Sequence, residues 1–249
     1  MKTTNNTILV TGGGTGMGLE AAKHFSELGN KVIIVARNAE RLREEAAKLA
    51  NTTAIPCDLS NEDELRNLVF ILKRDYSDLN MIFLNAGIAT NYGLLEGENA
   101  YEISKAEMIT NFHSAVLLTN ELEGLLADKP ESAMILTTSG VAFVPDLLHP
   151  TYSATKAALH SYALGLRLVL QKKESTIKVF ELMAPLVDTP FSKAVKSDVK
   201  MPANQIIKEL IAGLEKDDFE LHVGLTQQIA ELSRKSTQEA LKFINSVTG

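Results

Sequence analysis

The sequence predicts an α/β fold, a doubly wound and mostly parallel sheet with helices on both faces, from three observations. Short apolar runs alternate with amphipathic stretches along the chain. A glycine-rich turn follows the first apolar run, and no internal repeat, low-complexity segment or linker breaks the alternation. At 249 residues the chain can bury a substantial core, so one domain over residues 1–249 is expected.

The elements follow in order. Residues 8–10 form a first short strand, and 19–28 a helix closing at Gly29, which suits a C-cap. Residues 31–36 read as a second strand, 39–50 as a charged amphipathic helix and 53–57 as a third strand. Ser60-Asn61-Glu62-Asp63 resembles a capping box, with Asp in place of the usual Glu, and opens the next helix. A strand over 81–84 precedes a long helical region over 104–126. The apolar run that begins at Ala133 and closes on Ser139 reads as a buried strand, followed by a helix over 151–172 for which Thr151 suits the N-cap. Strands over 177–182 and 219–223 complete the pattern. Residues 88–97 and 185–201 read as loops, the second as the substrate loop. The charged, amphipathic stretch 227–245 is either an interface or a terminal cap.

Composition narrows the function classes. A net charge of −6 without a basic stripe argues against nucleic acid as a principal partner. The lone Cys57 cannot form an intrachain disulfide, and the five histidines show no metal-ligand spacing, so no metal is expected and a reducing, cytoplasmic setting is. Residues 1–9 lack the apolar core of a signal peptide, and no later stretch approaches about 18 uninterrupted apolar residues, so no membrane segment is expected. Small molecules and further copies of the chain are the expected partners.

The turn Thr11-Gly12-Gly13-Gly14-Thr15-Gly16-Met17-Gly18 lies between a strand and a helix. Gly12, Gly16 and Gly18 allow close backbone approach to a pyrophosphate and close packing of the helix, whose N-terminal amides face negative charge. Gly14, Thr15 and Met17 belong to the same cradle, and the expected ligand is a dinucleotide. After the second strand an acidic residue would favour the free ribose hydroxyl of NAD, but the chain has Ala36-Arg37-Asn38. Arg37 can bind a 2′-phosphate, so NADP(H) is the preferred cofactor and NAD(H) a possible one; the alternative for Arg37 is a solvated side chain at a helix start.

Tyr152 and Lys156 are i and i+4 neighbours on one helical face, and an ammonium beside a phenol favours the phenolate. Ser139 would emerge at the end of its strand, where ligands bind in open α/β sheets. Together the three read as a proton-transfer site for a carbonyl or an alcohol. Ser139 lacks a G-x-S-x-G context and no paired-carboxylate geometry can be read, which argues against a hydrolase.

With these residues in place the chain resembles the short-chain dehydrogenase/reductase family. The marks run in family order: Thr11 to Gly18, Asp58, Asn85-Ala86-Gly87, Asn111, Ser139, Tyr152 and Lys156. More loosely, SG-x-AF-x-P, YSATKAALHS and MAP-x-VDT resemble a subgroup of short-chain oxidoreductases encoded with teichoic-acid D-alanylation genes. The resemblance implies a Rossmann-type fold and a hydride exchange between a carbonyl and an alcohol, with Tyr152 as general acid/base and Ser139 orienting the oxygen. It implies that Asp58 and Leu59 meet the adenine, that Asn85, Ala86 and Gly87 lie beside the cofactor, and that Lys156 holds the nicotinamide ribose. Asn111 would anchor a water leading from Lys156 to solvent, and Pro185, Val187 and Thr189 would meet the carboxamide. Leu186 stands where the family has glycine. A homo-oligomer, dimer or tetramer, is implied as well. Read from the residues alone, Asp58 could simply end a strand, Asn85-Ala86-Gly87 could be only a turn, Asn111 a polar residue on a helix face, and His149 either a pocket residue or a packing residue between Pro145 and Pro150. A regulatory or scaffolding protein that binds cofactor on the same fold is the different-class alternative.

Overall fold

A computed structural model of the protein describes residues 1–97, 99–127, 129–193 and 195–247. Its centre is a seven-stranded sheet in the order β3-β2-β1-β4-β5-β6-β9. The strands are β1 (Thr7–Thr11), β2 (Lys31–Ala36), β3 (Thr52–Pro56), β4 (Met81–Leu84), β5 (Ala133–Ser139), β6 (Lys178–Ala184) and β9 (Glu220–His222), all parallel. A small separate ladder pairs β7 (Val187–Asp188) with β8 (Met201–Pro202).

Parallel strands covered on both faces must be apolar on both sides, and β1 and β4 are buried at every position. One face packs under α1 (Gly16–Glu27), α2 (Ala39–Ala47) and α7 (Ala203–Lys216), through residues such as Phe25, Leu42 and Leu210. The other packs under α3 (Glu62–Asp75), α5 (Ser114–Ala127) and α6 (Pro150–Lys172), through Leu72, Leu122 and Leu159. Strand order reverses at β1, which has β2 on one side and β4 on the other, and the crevice at that switch point is where α/β sheets bind ligands.

Three local departures from the expected elements bear on the site. The helical region begins at Ala100 with Asn99 as N-cap, and α4 (Ala100–Met108) is separated from α5 by a π-helical turn, Ile109–His113, that contains Asn111. The N-cap of α6 is His149, with Pro150 in the first turn, so Thr151 lies inside the helix. The stretch 185–201, expected as one loop, carries β7 and a 3₁₀ turn, Pro190–Ser192, with residue 194 outside the described residues. Residues 227–245 form α8 (Thr226–Lys235) and most of α9 (Thr237–Val247), which pack as a cap on Val141 and Val144.

Candidate active site

A cavity of about 510 Å³ opens at the carboxyl ends of β1, β4, β5 and β6. Gly12, Thr15, Gly16 and Met17 line one part, Asn85, Ala86 and Gly87 the next, and Ser139, Tyr152 and Lys156 the centre. Pro185, Leu186, Val187 and Thr189 close another side. Residues predicted from five separate stretches of sequence therefore share one cavity.

The glycine turn is built for close approach. Gly12 and Gly16 have φ of 69° and 55°, the left-handed region that glycine adopts without strain. A Cβ at Gly18 would collide with the Gly12 carbonyl, so Gly18 holds α1 against the turn rather than facing the cavity. Thr15 is the N-cap of α1 and its side chain makes no capping bond, leaving the first amides of the helix to the cavity. Thr11 Oγ1 accepts from the amides of Asn85 at 3.0 Å and Ala86 at 3.1 Å, which ties the ends of β1 and β4 together. Asn85 Nδ2 donates to the Thr11 carbonyl at 3.2 Å, while its Oδ1 is buried without a partner among the described residues. Thr137 Oγ1, also on the cavity wall, is a second orphan. Buried polar atoms rarely stay unpaired, so an uncapped helix start, a glycine cradle and two orphaned oxygens fit a polar dinucleotide.

Gly14, Arg37, Asp58 and Leu59 are not among the cavity's walls. Arg37 is exposed just beyond β2 and forms no ion pair among the described residues. Asp58 Oδ1 accepts from the Ser60 amide at 2.9 Å and the Ser60 hydroxyl at 2.7 Å, the geometry of a residue that ends a strand.

Ser139 closes β5 and caps the short 3₁₀ turn Gly140–Ala142, its Oγ accepting from the Val141 amide at 3.4 Å. Lys156 Nζ lies 5.5 Å from the Tyr152 ring centroid and donates to the Thr137 carbonyl at 2.7 Å. Burial depresses Lys156 to about 8, against a smaller raising effect of Glu181. Tyr152 moves the opposite way to the sequence expectation: burial first, then the charges of Glu107 and Asp146, push its phenol well above the ordinary range. The ammonium is directed at a backbone carbonyl rather than the phenol, so desolvation decides the direction.

Asn111 Oδ1 accepts from the Ile88 amide at 2.8 Å, and its Nδ2 donates to the Ile88 carbonyl at 2.9 Å and to Thr155 Oγ1 at 3.0 Å. It thereby joins the loop after β4 to α6, one residue before Lys156. A Cβ at Gly87 would sit 3.3 Å from Asn111 Oδ1 and 3.8 Å from Lys156 Nζ, so glycine there lets the two polar groups approach the strand end.

Several contributors carried no motif. Glu107 is fully buried and accepts from the Thr90 amide at 2.7 Å and Thr151 Oγ1 at 2.6 Å. Glu181, equally buried, accepts from Thr138 Oγ1 at 2.6 Å and meets His160 Nδ1 at 2.9 Å. Asp146 and His149 stand together in the cavity wall. Ile229, Ile244 and Val247 of the terminal cap form an apolar wall. The amphipathic pattern of 227–245 was the one available signal for that wall.

The comparisons with known proteins agree with this geometry. The model of the short chain dehydrogenase family matches residues 6–200. The chain is 40% identical over 189 residues to the uncharacterized oxidoreductase DltE of Bacillus subtilis (strain 168), covering 76% of this chain and 74% of that protein. An uncharacterized oxidoreductase of Staphylococcus aureus (strain USA300) is 28% identical over 217 residues, 84% of this chain and 90% of its own length. Among solved structures, a short chain dehydrogenase from Burkholderia cenocepacia J2315 in complex with NADP superposes with a TM-score of 0.86 at 22% identity, over 98% of this chain and 99% of that one. A short chain dehydrogenase/reductase from Burkholderia phymatum in complex with NAD gives 0.85 at 16% identity, over 98% and 96%. The chain belongs to the short-chain dehydrogenase/reductase family of NAD(P)-dependent oxidoreductases.

Proposed function

We propose that the protein interconverts a carbonyl and an alcohol, with NADP(H) preferred and Tyr152 as general acid/base. The observation that carries this reading is the meeting of Ser139, Tyr152 and Lys156 with the glycine turn in one cavity. The bound nicotinamide supplies the hydride in reduction and accepts it in oxidation. Tyr152 gives its phenolic proton to the carbonyl oxygen in one direction and takes the alcohol proton in the other. The raised proton affinity of the buried phenol keeps that proton in place until substrate oxygen accepts it. Ser139 Oγ, at the strand end, orients the same oxygen. Lys156, which donates to the Thr137 carbonyl, would hold the nicotinamide ribose, and its positive charge there would offset the burial that disfavours the phenolate.

Proton return from solvent runs past Asn111, whose amide joins the loop at Ile88 to α6 beside Lys156. Pro185, Val187 and Thr189 border the nicotinamide side of the cavity. A Cβ on Gly16 would lie 3.3 Å from Thr189, so the glycine turn and that loop touch at the edge of the cavity. The preference for NADP(H) rests on the exposed Arg37 beyond β2, and Asp58 with Leu59 would border the adenine. The exposed Leu164, Leu168 and Val169 on α6 suit a homo-oligomer, and the lone buried Cys57 suits the cytoplasm.

Calorimetry of the purified protein with NADPH and with NADH tests the reading, followed by a screen of ketones with the tighter cofactor. The expected result is tighter binding of NADPH and reduction of a carbonyl. Binding of neither cofactor would sink the proposal.

A further inference from the structure

We propose that His149 is a substrate-recognition residue, accepting a hydrogen bond from a hydroxyl one or two carbons from the substrate's carbonyl, and that the rest of the substrate is neutral and apolar. This rests on the carbonyl-alcohol reading above and adds to it the class of substrate.

The Asp146–His149 turn is rigidly built. Asp146 is 5% exposed, its amide donates to Ser153 Oγ at 3.1 Å, and its Oδ1 accepts from the Leu148 amide at 2.9 Å. His149 caps α6, its carbonyl accepting from the Ser153 amide at 3.0 Å and the Ser153 hydroxyl at 2.9 Å. The neighbouring Leu147 amide donates to Asn245 Oδ1 of α9 at 2.7 Å, fixing the turn from the other side. The ring therefore has little freedom, and it lies on the cavity wall with its centroid 6.5 Å from that of Tyr152.

Its Nδ1 stands 2.8 Å from Asp146 Oδ2. With the Asp146 carboxylate as acceptor, Nδ1 is the donor, and the singly protonated ring presents the Nε2 lone pair. Nε2 has no hydrogen-bond partner among the described residues and is not a sealed atom. An acceptor beside the reacting centre calls for a donor on the substrate, and a hydroxyl near the carbonyl is the group that supplies one while Tyr152 and Ser139 serve the reacting oxygen.

Charge and polarity bound the remainder of the molecule. The described residues lining the cavity include Lys156 and Asp146 but no arginine, and Lys156 Nζ is engaged by the Thr137 carbonyl. A carboxylate or phosphate on the substrate would lack a cation and meet Asp146. Beyond the dyad the wall is Val141, Phe191, Leu225, Ile229 and Ile244, which suits a bulky hydrocarbon group.

The test compares 2-hydroxyacetophenone with propiophenone, which exchange a hydroxyl for a methyl at matched size, using the full chain, NADPH and pH 8. The wild type is expected to favour the hydroxy ketone by at least about tenfold in kcat/KM, since a site built around a hydroxyl rejects the analogue lacking it. His149→Asn keeps a donor toward Asp146 but removes the acceptor, and should bring the ratio close to one, mainly through KM. His149→Gln should restore part of the preference, because its amide oxygen reaches toward the position of Nε2. Asp146→Asn frees the other tautomer and should lower the ratio with His149 in place. A wild-type ratio near one, or a ratio unmoved by His149→Asn and Asp146→Asn in variants that melt like the wild type, overturns the role of His149 while propiophenone reduction leaves the reductase reading standing. Turnover of neither ketone overturns the substrate class, and cofactor calorimetry then reports on the reductase reading separately.

Discussion

Lys156 Nζ donates to the carbonyl of Thr137, 2.7 Å away on the strand that ends in Ser139, and not to the phenol one helical turn behind it. The ammonium is buried, and burial lowers its proton affinity to about 8 from a reference of 10.5. A lysine depressed in the folded state opposes folding while both states are charged, below about pH 8. The opposition fades between about 8 and 10.5, where the unfolded chain holds the proton and the folded one does not. Lys156→Met is therefore expected to abolish turnover yet stabilise the fold at pH 7 by about 2 kcal/mol, after discounting for the lost bond to Thr137. For a chain of this length that is roughly 4–8 °C in Tm. The gain should shrink as pH rises toward 10, and thermal melts of both proteins from pH 6.5 to 10 check the sign.

Tyr152→Phe removes one hydroxyl from a packed site, where the ring also contacts Phe191 at a centroid distance of 5.8 Å. The ring packing survives the change. The expected result is a loss of turnover of about 10²–10⁴-fold, the range of a positioned acid/base, with cofactor affinity nearly retained. Single-turnover kinetics and calorimetry separate the two, and undiminished turnover would remove Tyr152 from the chemistry.

Arg37 is exposed and makes no ion pair among the described residues, so its replacement carries little structural penalty. Arg37→Asp should weaken NADPH binding by about 10- to 100-fold, the worth of charge-assisted bonds to phosphate, and strengthen NADH binding through the ribose hydroxyls. The ratio of the two Kd values is the readout. An unchanged ratio would place the choice of cofactor elsewhere.

His160 is held by Glu181, whose hydrogen bond raises the imidazole's proton affinity above its ordinary value, with burial opposing. A raised folded value means the contribution to stability is complete below the unfolded histidine value of 6.5 and is lost as pH rises through the folded one. His160→Gln should cost about 1 kcal/mol at pH 5.5 and less at pH 9, measured by urea denaturation. A cost that grows with pH would contradict the assignment of charge to the pair.

Much of the scaffold was legible because parallel strands buried on both faces leave nearly continuous apolar runs, and Lys31–Ala36 and Met81–Leu84 stand where those runs predict them. The residues of the central cavity were legible because each sits at a strand end or on the first turns of a helix. The π-helical turn at Ile109–His113 left no such mark, since it holds no glycine or proline to break the helical pattern and only the hydrogen-bond pattern changes. The buried acids were hidden for a different reason. Glu107 is tolerated inside because Thr90 and Thr151, 17 and 44 residues away in the chain, satisfy it, and no local pattern announces such partners. The sign of the Tyr152 shift failed likewise, because i to i+4 spacing gives proximity but not where the ammonium points.

The side chains assigned to the chemistry all lie before residue 190, whereas the ceiling over the substrate end comes from α8 and α9, beyond the matched family region that ends at residue 200. Part of what shapes admission is thus encoded apart from the reaction centre, and the two parts meet where Asn245 of α9 holds the Leu147 amide beside His149. The apolar residues of the last two helices can diversify while Asn245 keeps its bond to the Leu147 amide, and exchanging them between relatives is a direct route to re-targeting the enzyme.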